Sequence, residues 1–115
     1  MVTIPADAKI IEVAGSTVDF VEFEENGITY YAFDTSLTGP PEPMLNAMAG
    51  LRLIDGADKK VIMINHKMPM GLFDKIADNF AIESRTREDG LAEVTFSFKG
   101  SVDLNDPRYS AACHG

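Results

Sequence analysis

The sequence predicts an α/β two-layer sandwich: a mixed β-sheet in the order β-β-α-β-α-β-β, with two helices packed on one face. Three observations carry this. Two runs rich in β-branched and aromatic residues, Thr17 to Glu24 and Ile28 to Phe33, flank Glu25-Asn26-Gly27. An Asn-Gly pair between such runs signals a hairpin, because both central residues of a type I′ turn need positive φ. Val61-Ile62-Met63-Ile64 is apolar on both faces, as a central strand is. Helical patterns precede and follow that strand, and two right-handed strand–helix–strand steps place both helices on the same side.

Along the chain, Met1 to Ala14 carries Ile4, Ile10, Ile11 and Val13 without a clear period, which predicts an arm on the body or a short edge strand. After the hairpin, Asp34 to Pro43 is loop, punctuated by Gly39, Pro40, Pro41 and Pro43. Proline suits a first helical turn, where its missing N–H would be unpaired anyway. The first helix is expected from about Glu42 to Leu53, with Met44, Met48 and Leu51 as its apolar stripe and Leu45 beside them. Glu42 meets the positive end of the helix dipole.

Lys60 to Asn65 is the central strand. A second helix is expected from Met70 to Asn79, with Leu72, Phe73, Ile76, Ala77 and Phe80 in one stripe. Ala81 to Arg87 and Leu91 to Lys99 alternate around the turn Glu88-Asp89-Gly90. In the last strand Ala92, Val94, Phe96 and Phe98 are expected to face in, with Glu93, Thr95, Ser97 and Lys99 facing out. The organisation is one domain over residues 1–115: an N-terminal arm and added strand (1–27), a core (28–99) and a polar tail (100–115).

The 115 residues suffice for one domain, and 45% hydrophobic with 24% charged residues is ordinary globular composition. A formal net charge of −8 with ten scattered basic residues argues against nucleic acid and against anionic membranes. No window approaches the ~20 apolar residues of a membrane span, and the first residues show no signal-peptide pattern. The single Cys113 has no disulfide partner within the chain. Together these point to a cytoplasmic setting.

The stretch Phe33 to Lys99 resembles the TusA/SirA-like sulfur carriers, whose core runs β-α-β-α-β-β. Their motif starts with an Asp closing the first strand, followed by Cys-Pro, any residue, Pro and a large apolar residue. Here Asp34, Pro41, Pro43 and Met44 match, Pro40 stands at the cysteine position, and Leu37-Thr38 replaces the usual Gly-Leu. A sister group of uncharacterised proteins on this fold carries Pro-Pro-Glu-Pro there. It also has a His and a Pro-containing turn after its second parallel strand, which Asn65-His66-Lys67-Met68-Pro69 resembles. The resemblance implies the sulfur-carrier fold without its chemistry. A carrier cysteine gains thiolate character at a helix N-terminus, and proline has no atom to accept sulfur.

His66 is the leading candidate ligand residue. The loops after the first and second parallel strands share one carboxyl edge of the sheet, where open α/β sheets bind ligands. Asp34, Pro40 and Glu42 lie on the first of these loops and are candidates with it. A histidine here could equally order its own loop. Six methionines are many for this length; His66, Met68 and Met70 would suit a soft ion such as Cu(I), although Met also fills core gaps. Cys113-His114 could carry sulfur or redox chemistry in place of the missing cysteine. No phosphate loop, zinc spacing or Ser-His-Asp order is present. The leading expectation is a non-enzymatic accessory domain binding an unknown small molecule or protein partner. The sheet face opposite the helices is expected to be covered by the N-terminal arm or by a second subunit, with a homodimer slightly favoured.

Overall fold

The computed structural model describes residues 4–99. Its elements are β1 (Lys9–Ile11), β2 (Phe20–Glu25), β3 (Ile28–Asp34), α1 (Glu42–Leu51), β4 (Lys59–Asn65), α2 (Met70–Ile76), β5 (Phe80–Thr86) and β6 (Ala92–Phe98). The β2–β3 hairpin closes through Asn26 at φ 54° and Gly27 at φ 80°, the two positive values the turn requires. The N-terminal segment supplies a three-residue edge strand, β1, antiparallel to β2.

The six strands form one sheet in the order β1-β2-β3-β4-β6-β5. β3 and β4 are parallel, which is why α1 must connect them. β6 pairs antiparallel with both β4 and β5, so the chain crosses from β4 through α2 to β5 and returns along β6 between them.

Side chains of opposite parity make two apolar layers. Phe20, Phe33, Val61, Met63, Val94 and Phe96 pack with Ala47 and Leu51 of α1 and with Leu72 and Ile76 of α2. Both helices therefore lie on this face. Tyr30, Ala32, Ile62 and Ile64 form the second layer, extended within the sheet by Val21, Phe23 and Ile28 and packed against Ile4 and Leu91. Strand β4 is buried on both sides, in keeping with its continuous apolar run.

Three expectations are corrected. The expected α1 stripe holds at Leu51, which is buried, and at Met44, which packs on the core, but fails at Met48, 41% exposed, and beside it at Leu45, 47% exposed; Ala47, Ala49 and Gly50 are buried instead. The cause is close approach. A Cβ on Gly50 would lie 3.2 Å from both Phe20 and Val61, so small residues set the distance between helix and sheet. The bulky methionine is left on the far side.

Both helices also end early, at Leu51 and Ile76. Leu53 N–H donates to Gly50 O and Asn79 N–H to Ile76 O, so a turn finishes each unit. Finally, Glu93 and Thr95 face away from the helices but are buried, at 6% and 8% exposure. β6 is an interior strand between β4 and β5, so Glu93 and Thr95 are flanked on this face by Ile64 and Ile62 on one side and by Arg85 and Glu83 on the other. Polar identity predicted the face correctly and the exposure wrongly.

Candidate ligand cleft at the carboxyl edge of the sheet

The parallel strands β3 and β4 end side by side, and a polar clamp fixes the two loops that leave them. Thr35 N–H donates to Ile64 O at 2.8 Å, extending the ladder by one residue. The Thr35 hydroxyl lies 3.1 Å from Ile64 O and 3.0 Å from Asn65 Oδ1, sharing one proton between two acceptors. Asn65 Nδ2 in turn donates to Lys67 O at 2.9 Å. Thr35 and Asn65 are buried at 0% and 2% exposure, so these bonds form in a weakly screened interior. They tie the loop carrying Pro40 to the loop carrying His66. The Thr38 hydroxyl folds the first loop back by donating to Thr35 O at 3.0 Å.

Between the tied loops lies a cleft of about 430 Å³. Pro40, Pro41, Pro43 and Met44 line one side; His66, Met68, Pro69, Met70 and Leu72 line the other. The Pro40–Pro41 peptide bond is cis. Neither helix start carries a side-chain cap, so His66 is not occupied in capping α2. It is exposed at the mouth. Asn65, Lys67 and Gly71 complete the lining; among the described residues it holds no carboxylate, thiol or hydroxyl, an inventory of mostly apolar walls with the His66 imidazole, the Lys67 amine and the Asn65 amide as its polar groups.

Of the four ligand candidates, the structure brings His66 and Pro40 together in this cleft. Asp34 does not line it; its Oδ1 accepts the Ser36 N–H at 2.8 Å and orders its own loop. Glu42 does not line it either. Its carboxylate accepts the Thr17 hydroxyl at 2.8 Å, pinning α1 to the segment before β2. His66, Met68 and Met70 share the cleft, whereas no group of three or more His, Cys, Asp or Glu placed to hold a metal occurs among the described residues. Cys113 lies outside the described residues. No protein-family model, curated protein or solved structure matches this chain.

The positioning residues Thr35, Asn65 and Asn46 escaped the sequence reading. Asn46 is fully buried. Its amide donates to the Thr17 hydroxyl and to Glu42 O, both at 2.8 Å, and its oxygen accepts Thr17 N–H at 2.8 Å. A signal existed for two of them: Asn65 closes an otherwise apolar strand, and Asn46 sits inside an apolar helix. A buried amide in such a place must find hydrogen-bond partners, and so marks a tie to a neighbouring segment.

Proposed function

We propose that the chain is a non-catalytic binding domain that holds an apolar group of a small ligand or partner segment in the cleft between the Pro40 and His66 loops. One observation carries the reading: the two loops at the carboxyl edge are clamped by buried Thr35 and Asn65 around a mostly apolar space, with the exposed His66 imidazole and Lys67 amine on its lining. Such pre-formed, mostly apolar concavities with few polar groups are what small-molecule sites consist of. We also propose kinship with the Pro-Pro-Glu-Pro group of the TusA/SirA-like fold. The strand–helix order from β3 to β6 and the place of Pro40 ahead of α1 support it.

The test combines two measurements on the full chain. Native mass spectrometry of protein purified without oxygen is expected to show a bound small molecule. A fragment titration followed by backbone amide NMR is expected to shift His66, Met70 and Met44 saturably. Met70→Glu, at an exposed position (61%), should weaken fragment binding while leaving the fold intact. No adduct and no saturable shift at these residues would refute the reading.

The shared position of His66, Met68 and Met70 favours Cu(I) as a second occupant. Anaerobic Cu(I) titration giving one equivalent bound, lost in His66→Ala, would establish it. A third possibility, sulfur transfer through Cys113, would appear as a single added sulfur after exposure to a persulfide donor.

A further inference from the structure

The face of the sheet without helices carries a second cavity, of about 450 Å³. Register builds it. Asp34 pairs with Ile64, Ile64 with Glu93 and Glu93 with Arg85, which sets these four side chains in one row across β3, β4, β6 and β5. The row lies at the same carboxyl edge as the His66 cleft but points to the opposite side. Asp19, just before β2, and Arg87, just after β5, stand at its two ends, and Ile4, Val21 and Ala32 complete an apolar lining.

Glu93 is the unexpected member. It sits on an interior strand beside Ile64, at 6% exposure. Arg85 Nη2 reaches its Oε1 at 3.3 Å, while Oε2 is buried and has no hydrogen-bond partner among the described residues. A buried carboxylate oxygen without a donor is costly, and an apolar residue here would spare the fold that cost. The remaining groups show what kind of donor would complete it. Three carboxylates, Asp19, Asp34 and Glu93, line the cavity against two guanidiniums. Arg85 is already engaged by Glu93, and Arg87 pairs with Asp89 at 3.2 Å outside the lining. The unfilled capacity is that of an acceptor in an electronegative place. Apolar walls and a single deep oxygen do not resemble the multi-oxygen cage that a hard metal ion needs.

We propose that this cavity binds a small organic cation, an ammonium or guanidinium head on a short aliphatic body, whose head donates to Glu93 Oε2 while the body lies on Val21, Ala32 and Ile64. Asp34 and Asp19 add attraction at the mouth. Arg85, its side chain 55% exposed, holds only Oε1, so the head can add a charge-assisted bond at Oε2 without displacing it. This site is independent of the His66 cleft, and neither stands or falls with the other.

Putrescine and agmatine are the probes, with n-butanol and acetate as the neutral and anionic controls, followed by backbone amide NMR on the full chain. Both cations should shift the amides of Asp34, Ile64, Arg85 and Glu93 saturably. n-Butanol, and the cations with Glu93→Gln, should bind about tenfold or more weakly, as expected when a charge-assisted bond is lost. Should Glu93→Gln fail to fold, Asp34→Asn decides, because asparagine keeps an acceptor for the Ser36 N–H. Its affinity for the cations should fall several-fold, and unchanged affinity would overturn the proposal. So would an absence of saturable shifts, equal binding by n-butanol, preference for acetate, or shifts centred on His66. An internal water satisfying Oε2 would show itself as cations that fail to bind.

Discussion

A single buried amide, Asn46, holds α1 to the segment that enters β2. Replacing it with alanine leaves the Thr17 and Val18 N–H groups without the oxygen that now accepts both, at 2.8 and 3.3 Å. A loss of about 2–4 kcal/mol is expected from an orphaned buried network plus a small cavity, read as a lower denaturation midpoint. A midpoint within experimental error of the parent would refute that role. Titrating side chains make a second statement at this scale. Burial, then Glu25 and Glu83, raises the Tyr30 pKa; burial, then Glu22, raises Tyr31; and the hydrogen bond to Asp58 raises Lys59. In each case the folded state holds its proton longer than the unfolded chain. The stability this gives is complete below the ordinary values near pH 10 and is lost as pH rises through the raised ones. The denaturant midpoint should therefore fall above about pH 10, less steeply in Tyr30→Phe, by the same linkage. A midpoint unchanged through that range would contradict the sign.

The elements differ in how openly the sequence declares them. The hairpin was legible because positive φ at two adjacent residues admits few side chains, and Asn26-Gly27 are among them. Gly27→Val should cost about 1 kcal/mol or more through backbone strain alone, since open space surrounds its Cβ position. Strand β4 was legible because burial on both sides demands an unbroken apolar run. The contact face of α1 was legible only in part, at Met44 and Leu51 and not at Met48. Periodicity weights large apolar residues, whereas the packing distance is set by Gly50 against Phe20 and Val61. Gly50→Val should accordingly cost about 1–3 kcal/mol by overpacking, despite the low helix propensity of glycine; thermal unfolding of the variant that matches the parent would show that the sheet yields. The site was half legible for a related reason. Topology alone brings the loops bearing Pro40 and His66 to one edge. The bonds that turn Asp34 and Glu42 elsewhere, to Ser36 N–H and the Thr17 hydroxyl, depend on loop paths that no spacing rule encodes. Glu93 was misjudged because alternation reports a face and says nothing of what lies over it.

Across the whole molecule, the reason for expecting a homodimer is met inside one chain. Ile62 and Ile64, which point away from the helices, are only 1% and 4% exposed without a second subunit, flanked in their layer by Val21, Phe23 and Ile28 and packed against Ile4 and Leu91. The sheet edges do not invite pairing either. β1 is three residues long, and β5 carries Glu83 and Arg85 on an exposed edge, both features that discourage strand addition. A net charge of −8 adds repulsion between copies. Most of the apolar surface that remains stands on the helical side and its loops, Leu37 at 99%, Leu45 at 47%, Met48 at 41% and Met70 at 61% exposure, while the helix-free face keeps Ile10 of β1, in register with Val21, at 65%. Light scattering of dilute protein at neutral pH should thus give the mass of one chain, 12.5 kDa. Twice that mass would overturn the expectation and would locate the interface as well. If the helical side joins the copies, Met48→Glu should separate them, since a charge buried in an apolar interface has no partner there. If Met48→Glu leaves the dimer intact while Val21→Glu dissolves it, the sheet face is the joint and its intramolecular cover is insufficient.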